Sequence, residues 1–286
     1  MNKKILFSAG GTGGHILPAI NLMKHLSEKG YKIMLVTDFR GNIFLKEYPE
    51  LKSVIINTNT PINKKLFNKI LSILVIFRSI LKSIILLYRE KPQIVLGFGG
   101  YVSFPISLAS KFFNLPLLIY ENNMAVGKAN KYLLPIAKRI FLSKKNLVNY
   151  PEKYKSKICS IGDILNKEII NYSINKENKS KDKISILVLG GSQGAKVFGE
   201  IIPSVINNLK EKGYEVEVNQ QCVKEQEKVI KDFYDKKKIK HNIFTFNKDI
   251  LKLILSSDLA ITRCGASTLA ELAFTSTPFI AVPLSN

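Results

Sequence analysis

The sequence predicts an α/β fold with two halves, each a parallel sheet covered by helices. Apolar runs alternate with helical patterns in both halves, and each half has a glycine-rich turn between an apolar run and a helical pattern. These turns are residues 10–15 (GGTGGH) and 190–195 (GGSQGA). A strand–turn–helix unit of this kind lets the backbone approach a ligand and directs free N–H groups at it. Two such units predict two Rossmann-like domains that close around substrates, with each turn facing the cleft.

The first half contains six predicted strands and four predicted helices. The apolar runs predict strands at residues 5–8, 32–37, 53–56, 94–97, 116–120 and 139–142. The helical patterns lie at residues 16–29, 64–89, 102–113 and 125–137. Strands of continuous apolar residues are typical of a parallel sheet buried on both faces. We predict a first domain over residues 1–165.

The second half begins after a change in composition. Residues 166–183 are rich in asparagine, lysine and serine, which predicts a linker. Strands are then predicted at residues 184–189, 215–219, 242–244, 259–262 and 279–282, and helices at 197–212, 224–237, 248–256 and 268–273. We predict a second domain over residues 184–286. Because the sequence ends just after a strand, we expect this domain to be truncated and incomplete.

Composition restricts the partners and the compartment. The 286 residues carry a formal net charge of +21, which predicts attraction to nucleic acid, a nucleotide substrate or an acidic membrane surface. No helix-turn-helix, zinc pattern or RNA-binding aromatic motif is visible, so nucleic acid is not an expected partner. Three widely spaced cysteines, Cys159, Cys222 and Cys264, indicate a reducing compartment. The first strand begins too early for a signal peptide, which favours the cytoplasm.

His15 stands where the first glycine turn becomes a helix. The turn lacks the G-x-G-x-x-G spacing, and Asp38 lies in a polar turn instead of a clean ribose-binding position. A structural glycine loop therefore stays open as an interpretation, and a single histidine is most often structural. A neutral imidazole at this place can nevertheless take a proton from an attacking hydroxyl. The loops at residues 97–105 and 120–123 also follow strands, at the edge where open α/β sheets bind ligands.

Five segments together resemble one enzyme family. They are GGTGGH at 10–15, GGYVSFP at 99–105, the loop at 121–123, GGSQGA at 190–195 and RCGASTLAE at 263–271. In this order and spacing they are similar to the MurG glycosyltransferases, which add N-acetylglucosamine to the lipid-linked muramoyl-pentapeptide precursor. The resemblance implies the GT-B fold, with two Rossmann-like domains whose parallel sheets face each other across a cleft. It also implies an inverting transfer with no cofactor and no bound metal.

The same resemblance implies roles for residues of the first domain. His15 corresponds to the proposed base for the acceptor 4-hydroxyl. Thr12, Gly13 and Gly14 lie near the acceptor diphosphate and the donor sugar, and Asn123 resembles a contact to the donor sugar.

In the second domain, Glu271 resembles the carboxylate that holds the ribose hydroxyls. The other implied contacts are to the rest of the nucleotide: Ser192, Gln193, Asn247, Ala266, Ser267 and Thr268. Three segments depart from the family pattern. Residues 162–166 are GDILN where Gly-Asn-Pro-x-Arg is usual, so a cationic contact to the donor phosphate is expected to be missing. Residues 219–222 (NQQC) and 246–250 (FNKDI) also differ, and the glutamine-bearing segment after Pro283 is absent.

The predicted helix at residues 64–89 alternates apolar residues with basic ones that include Lys69, Arg78 and Lys82. It is either a core-facing helix with a solvated basic face or a helix that rests on anionic lipid, as a lipid-linked acceptor requires. The charges of Arg78 and Lys82 interrupt the apolar run, which argues against a membrane-spanning helix.

The resemblance to the MurG glycosyltransferases implies a UDP-N-acetylglucosamine transferase at the cytoplasmic face of the bacterial membrane. Its expected partners are UDP-N-acetylglucosamine, the undecaprenyl-linked muramoyl-pentapeptide acceptor and an anionic membrane surface. Two alternatives stay open: another nucleotide-sugar:glycolipid transferase, and a non-catalytic binding remnant.

Overall fold

The computed structural model describes residues 3–11, 13–58, 66–145, 148, 150–172, 183–191, 196–247 and 249–283. The chain divides into two compact units, Met1–Asn166 and Lys167–Asn286. The predicted site residues Thr12, Ser192 and Gln193 lie outside the described residues.

In its described residues the first unit is built on a seven-stranded parallel sheet in the order β3-β2-β1-β4-β5-β6-β7. Its strands are β1 (Lys4–Ser8), β2 (Lys32–Thr37), β3 (Ser53–Ile55), β4 (Ile94–Gly97), β5 (Leu117–Glu121), β6 (Arg139–Leu142) and β7 (Ile158–Ser160). Successive side chains enter different clusters, because neighbours on a strand point to opposite faces. Leu6 and Val95 belong to one buried cluster, and Phe7 and Leu96 belong to the other. Both faces of the sheet are therefore covered, as the continuous apolar strands predict.

Five α-helices pack on this sheet in the described part of the unit: α1 (Gly13–Glu28), α2 (Phe39–Leu45), α3 (Leu66–Glu90), α4 (Ser103–Ser110) and α5 (Lys128–Leu133). Short 3₁₀ turns follow at Lys111–Phe113 and Glu152–Lys157. The sequence did not predict α2 or β7, and α5 is shorter than the helix predicted at residues 125–137. Asp38 begins α2 as its N-cap, since its Oδ1 accepts the Gly41 N–H at 2.8 Å.

The second unit contains a five-stranded parallel sheet in the order β10-β9-β8-β11-β12 within the described residues. Its strands are β8 (Ile184–Leu189), β9 (Val216–Gln221), β10 (Lys240–Phe244), β11 (Leu259–Arg263) and β12 (Phe279–Val282). The helices are α6 (Lys167–Tyr172), α7 (Lys196–Glu211), α8 (Glu227–Lys236), α9 (Ile250–Ser256) and α10 (Ala266–Phe274), and a 3₁₀ turn (Lys224–Gln226) precedes α8. Helix α6 lies inside the predicted linker. The prediction of two α/β domains with parallel sheets is confirmed.

Helix α3 packs against α4 and has an unusual distribution of side chains. Ser72, Ser79 and Ser83 are buried, whereas large apolar side chains on the other face are exposed. The most exposed are Leu74, Phe77, Ile85 and Tyr88, with 58–68% of their surface accessible. The segment Leu71–Glu90 is long and apolar enough to cross a membrane by length and composition alone. This differs from the expectation drawn from Arg78 and Lys82, since these two charges do not offset the apolar residues of the 18-residue stretch 71–88.

Candidate active site

The glycine turns after β1 and β4 touch each other through their backbones. Gly100 has φ of +78°, and a Cβ atom placed there would lie 2.5 Å from the carbonyl oxygen of Gly10. Gly99 has φ of +93°, and its Cβ would lie 3.0 Å from Cε1 and Nδ1 of His15. Glycine at both positions therefore lets the loop after β4 pack against the first turn and against the His15 imidazole.

Pro18 leaves the Gly14 carbonyl free to bind the loop after β5. In a regular helix the N–H of residue 18 would donate to the Gly14 carbonyl, but proline has no N–H. The Asn122 side-chain amide donates to this carbonyl instead, at 3.2 Å. Ser143, which follows β6, donates to the Asn122 carbonyl at 2.9 Å. The loops after β1, β5 and β6 are thus joined by hydrogen bonds at the carboxyl edge of the sheet.

A buried carboxylate, Glu121, organises the loop after β5. Its Oε1 accepts hydrogen bonds from the backbone N–H and the side-chain amide of Asn123, at 3.1 and 2.9 Å. Its Oε2 accepts from the Gly127 N–H and the Asn130 amide, both at 2.9 Å. Four donors compensate for the removal of this charge from water. Glu121 thereby fixes the position of Asn123, which sequence reasoning named, and of Asn130, which it missed.

His15 lies at the start of α1 with an environment that keeps its ring neutral. Burial lowers the pKa of His15 below its ordinary value of 6.5, although the Glu121 charge and the Phe98 backbone oppose this effect. Its Nδ1 is buried and makes no hydrogen bond of ordinary geometry in the described part of the chain. A neutral imidazole can accept a proton at one ring nitrogen, and because Nδ1 is buried, Nε2 is the nitrogen left for a substrate.

His15 and Asn123 line the same pocket, which has a volume of about 190 Å³. The other lining residues are Gly99, Gly100, Tyr101, Gly127, Lys128, Ala129 and Asn130. Gly13 and Gly14 form the start of α1 immediately before His15. The structure therefore brings together His15, Asn123 and the two glycine loops. Lys128 was missed, because nothing in its spacing marks it as a pocket residue.

In the second unit the predicted residues lie at the carboxyl edge of the five-stranded sheet. Ala266, Ser267 and Thr268 form the first turn of α10, directly after β11, with Gly265 as the N-cap. The N–H groups of this first turn have no partner within the helix and point out of its N-terminus, where the positive end of the helix dipole also lies. Such an N-terminus is suited to an anion.

Glu271 follows one turn later on α10. Burial raises the pKa of Glu271 to about 7 from an ordinary value of 4.5, and no cation among the described residues offsets this shift. The raised pKa means that the described residues around Glu271 do not stabilise its ionised form. A ligand that donates hydrogen bonds to the carboxylate can supply this stabilisation. A perturbed acid at the carboxyl edge of the sheet is a candidate functional group.

Asn247 lies beyond β10, where its Oδ1 accepts the Asp249 N–H at 2.8 Å. Arg263 lies at the end of β11. Its guanidinium is 5.1 Å from the centre of the Phe198 ring and donates to the Pro283 carbonyl.

Among the described residues, no group of three His, Cys, Asp or Glu side chains is arranged to hold a metal ion.

Comparison with known proteins identifies the family. The model for the glycosyltransferase family 28 N-terminal domain matches residues 5–142, and the model for its C-terminal domain matches residues 185–286. The UDP-N-acetylglucosamine--N-acetylmuramyl-(pentapeptide) pyrophosphoryl-undecaprenol N-acetylglucosamine transferase of Pelagibacter ubique is 40% identical over 99% of this chain and 78% of its own length. The chain belongs to the MurG family of glycosyltransferases. The corresponding Rickettsia felis enzyme is 37% identical over 99% of the chain and 80% of its own length.

The solved structures agree with this assignment. The MurG crystal structure from Acinetobacter baumannii aligns with a TM-score of 0.72 and 26% identity, covering 99% of this chain and 79% of the other. The resemblance seen in the five sequence segments is therefore confirmed, and so is the pair of Rossmann-like domains that this family shares.

Proposed function

We propose that this protein transfers N-acetylglucosamine from UDP-N-acetylglucosamine to the 4-hydroxyl of undecaprenyl-pyrophosphoryl-N-acetylmuramoyl-pentapeptide. The product is the lipid-linked disaccharide precursor of peptidoglycan, which a bacterium needs for its cell wall, its shape and its division. The observation that carries the proposal is that a neutral His15 and a fixed Asn123 line the same pocket in a MurG-family chain. We assign acceptor binding to the first unit and UDP-sugar binding to the second.

His15 acts as the general base. The neutral imidazole takes the proton of the acceptor 4-hydroxyl while that oxygen attacks the anomeric carbon and forms the new C–O bond. The bond from this carbon to UDP breaks, and UDP leaves with the electron pair, so the anomeric configuration inverts. The Glu121 charge favours the imidazolium that forms, as its effect on the pKa of His15 indicates.

The glycine turns, Asn123 and the second unit bind the remaining parts of the substrates. Asn123 contacts the donor sugar, and its two hydrogen bonds to Glu121 hold the amide in a single orientation. The first turn of α10 stabilises the negative charge of the diphosphate. Glu271 accepts hydrogen bonds from the ribose hydroxyls, which favours its ionised form. Thr12, Ser192, Gln193 and Asn247 keep the roles that the family resemblance implies.

The exposed face of α3 supports attachment to the cytoplasmic face of the membrane. Phe77 and Tyr88 expose 60% and 68% of their surface, and they lie on the face opposite the buried serines. An apolar face of this size marks an interaction surface. Exposed Arg78 and Lys82 beside it are suited to anionic lipid headgroups. The contacts between α3 and α4 keep the helix on the unit, so we assign it a peripheral role.

A transfer assay tests the proposal. The 286-residue chain is incubated with radiolabelled UDP-N-acetylglucosamine and a muramoyl-pentapeptide acceptor on a shortened prenyl diphosphate. Label is expected in the lipid product, and UDP-glucose is expected to be a poor donor. Transfer only to a different glycolipid would favour another nucleotide-sugar:glycolipid transferase. Tight UDP binding with no transfer to any acceptor would favour a non-catalytic remnant.

A further inference from the structure

Lys128 differs in charge from every other residue that lines the His15 pocket. The described lining consists of glycine and alanine backbone, the Tyr101 hydroxyl, the side-chain amides of Asn123 and Asn130, and a neutral His15. The nearby Glu121 carboxylate is buried behind the pocket, with both oxygens occupied by hydrogen bonds. The pocket therefore contains one positive charge and no accessible negative charge among these residues.

Two other cations at this edge of the sheet are already paired with carboxylates. Arg40 lies 3.3 Å from Asp38, and Lys144 lies 2.5 Å from Asp163. Lys128, in contrast, has no carboxylate partner in the described part of the chain. A lysine without a carboxylate partner, in a pocket whose other lining residues carry no charge, is suited to a phosphate group.

We propose, on the basis of the function proposed above, that Lys128 binds a substrate diphosphate in the His15 pocket. Both substrates carry this group: UDP-N-acetylglucosamine has one next to the reacting carbon, and the lipid acceptor has one on its sugar. Lys128 is a binding residue that places the reacting sugar beside His15. The GDILN segment at residues 162–166 has no arginine or lysine, so it supplies no cation to a phosphate.

The experiment compares Lys128→Gln and Lys128→Arg with the parent chain, and with Lys131→Gln as the control. Lys131 lies on the same short helix, is exposed and does not line the pocket. Steady-state transfer is measured while each substrate is varied in turn. We expect Lys128→Gln to raise KM for one substrate roughly ten- to hundredfold, the usual effect of a lost charge-assisted hydrogen bond, with a smaller effect on kcat. Lys128→Arg should restore most of the affinity, and Lys131→Gln should match the parent.

The substrate whose KM rises is the one whose diphosphate Lys128 binds. If both KM values of Lys128→Gln stay within about twofold of the parent, or if only kcat falls, the proposal is overturned. A parent chain that transfers no sugar would refute the proposed function but still leave Lys128 open to a direct test. Calorimetry with inorganic pyrophosphate then decides: weaker binding by Lys128→Gln than by Lys131→Gln supports the proposal, and equal binding overturns it.

Discussion

Glu271→Gln should stabilise the second unit at alkaline pH while it weakens binding of the donor. The carboxyl has a pKa of about 7 in the folded protein against an ordinary value of 4.5. Each pKa unit corresponds to about 1.4 kcal/mol, so ionised Glu271 costs the folded state about 3 kcal/mol above pH 7. The cost disappears below pH 4.5, because the carboxyl is then protonated in both the folded and the unfolded state. Glutamine has nearly the same shape and no charge, so the variant avoids this cost.

Urea unfolding followed by hydrogen exchange of peptides from β11 and α10 measures this stability in the second unit alone. We expect Glu271→Gln to exceed the parent by about 3 kcal/mol at pH 8 and by less than about 1 kcal/mol at pH 5. Glu200→Gln, which changes an exposed carboxyl on α7 of the same unit, should show neither effect. Equal or lower stability of Glu271→Gln at pH 8 would refute the buried, uncompensated carboxylate.

Three further outcomes follow from the site and from α3. Glu271→Ala should weaken UDP-N-acetylglucosamine roughly ten- to hundredfold in calorimetry, because the ribose hydroxyls lose a charged acceptor, and leave acceptor affinity unchanged. Equal donor affinity would remove Glu271 from the site. As the pH is lowered, kcat should decline only below the ordinary histidine pKa of 6.5, since burial lowers the pKa of His15 and the base must be neutral. If kcat already declines with falling pH well above pH 7, His15 does not have this role. Reversing Arg78 and Lys82 to Glu should reduce sedimentation with anionic vesicles about tenfold or more at low salt, since each basic residue contributes about 1 kcal/mol. The matched control reverses exposed Lys236 and Lys237 in the second unit, and equal losses in the two double variants would argue against α3.

Much of the fold could be predicted because its signals are local. Strands such as Lys32–Thr37 and Ile94–Gly97 are short apolar runs between turn residues, and their burial in a parallel sheet follows from that pattern. Helix α2 was missed because its seven residues carry no long apolar period and it depends on the Asp38 cap. Helix α5 begins later than predicted because Glu121 holds the Gly127 N–H in the loop before it. These contacts connect residues across loops, and hydrophobic periodicity does not reveal them.

In the candidate site, too, features that depend on a local motif could be predicted, and features that depend on contacts between distant residues could not. His15 and Asn123 could be predicted, since each stands after an apolar strand in a recognisable motif. The exposed apolar face of α3 could not be chosen over a core-facing one, because the choice depends on which side contacts α4. Two features could not be read from the sequence: Glu121 accepts four hydrogen bonds, and Lys128 lines the pocket. Both depend on how the loops after β1, β4 and β5 pack together in three dimensions.

The rate of sugar transfer by the parent chain and by His15→Ala tests the central claim most directly. Both proteins are given UDP-N-acetylglucosamine and the short-chain muramoyl-pentapeptide acceptor, and the linkage of the product is read by NMR. We predict that the parent forms a β-linked disaccharide at the 4-hydroxyl. His15→Ala should be about 10²–10⁴-fold slower, the usual effect of a lost general base, with unchanged donor affinity. Transfer by His15→Ala at the parent rate, or an α-linked product from the parent, would contradict the account.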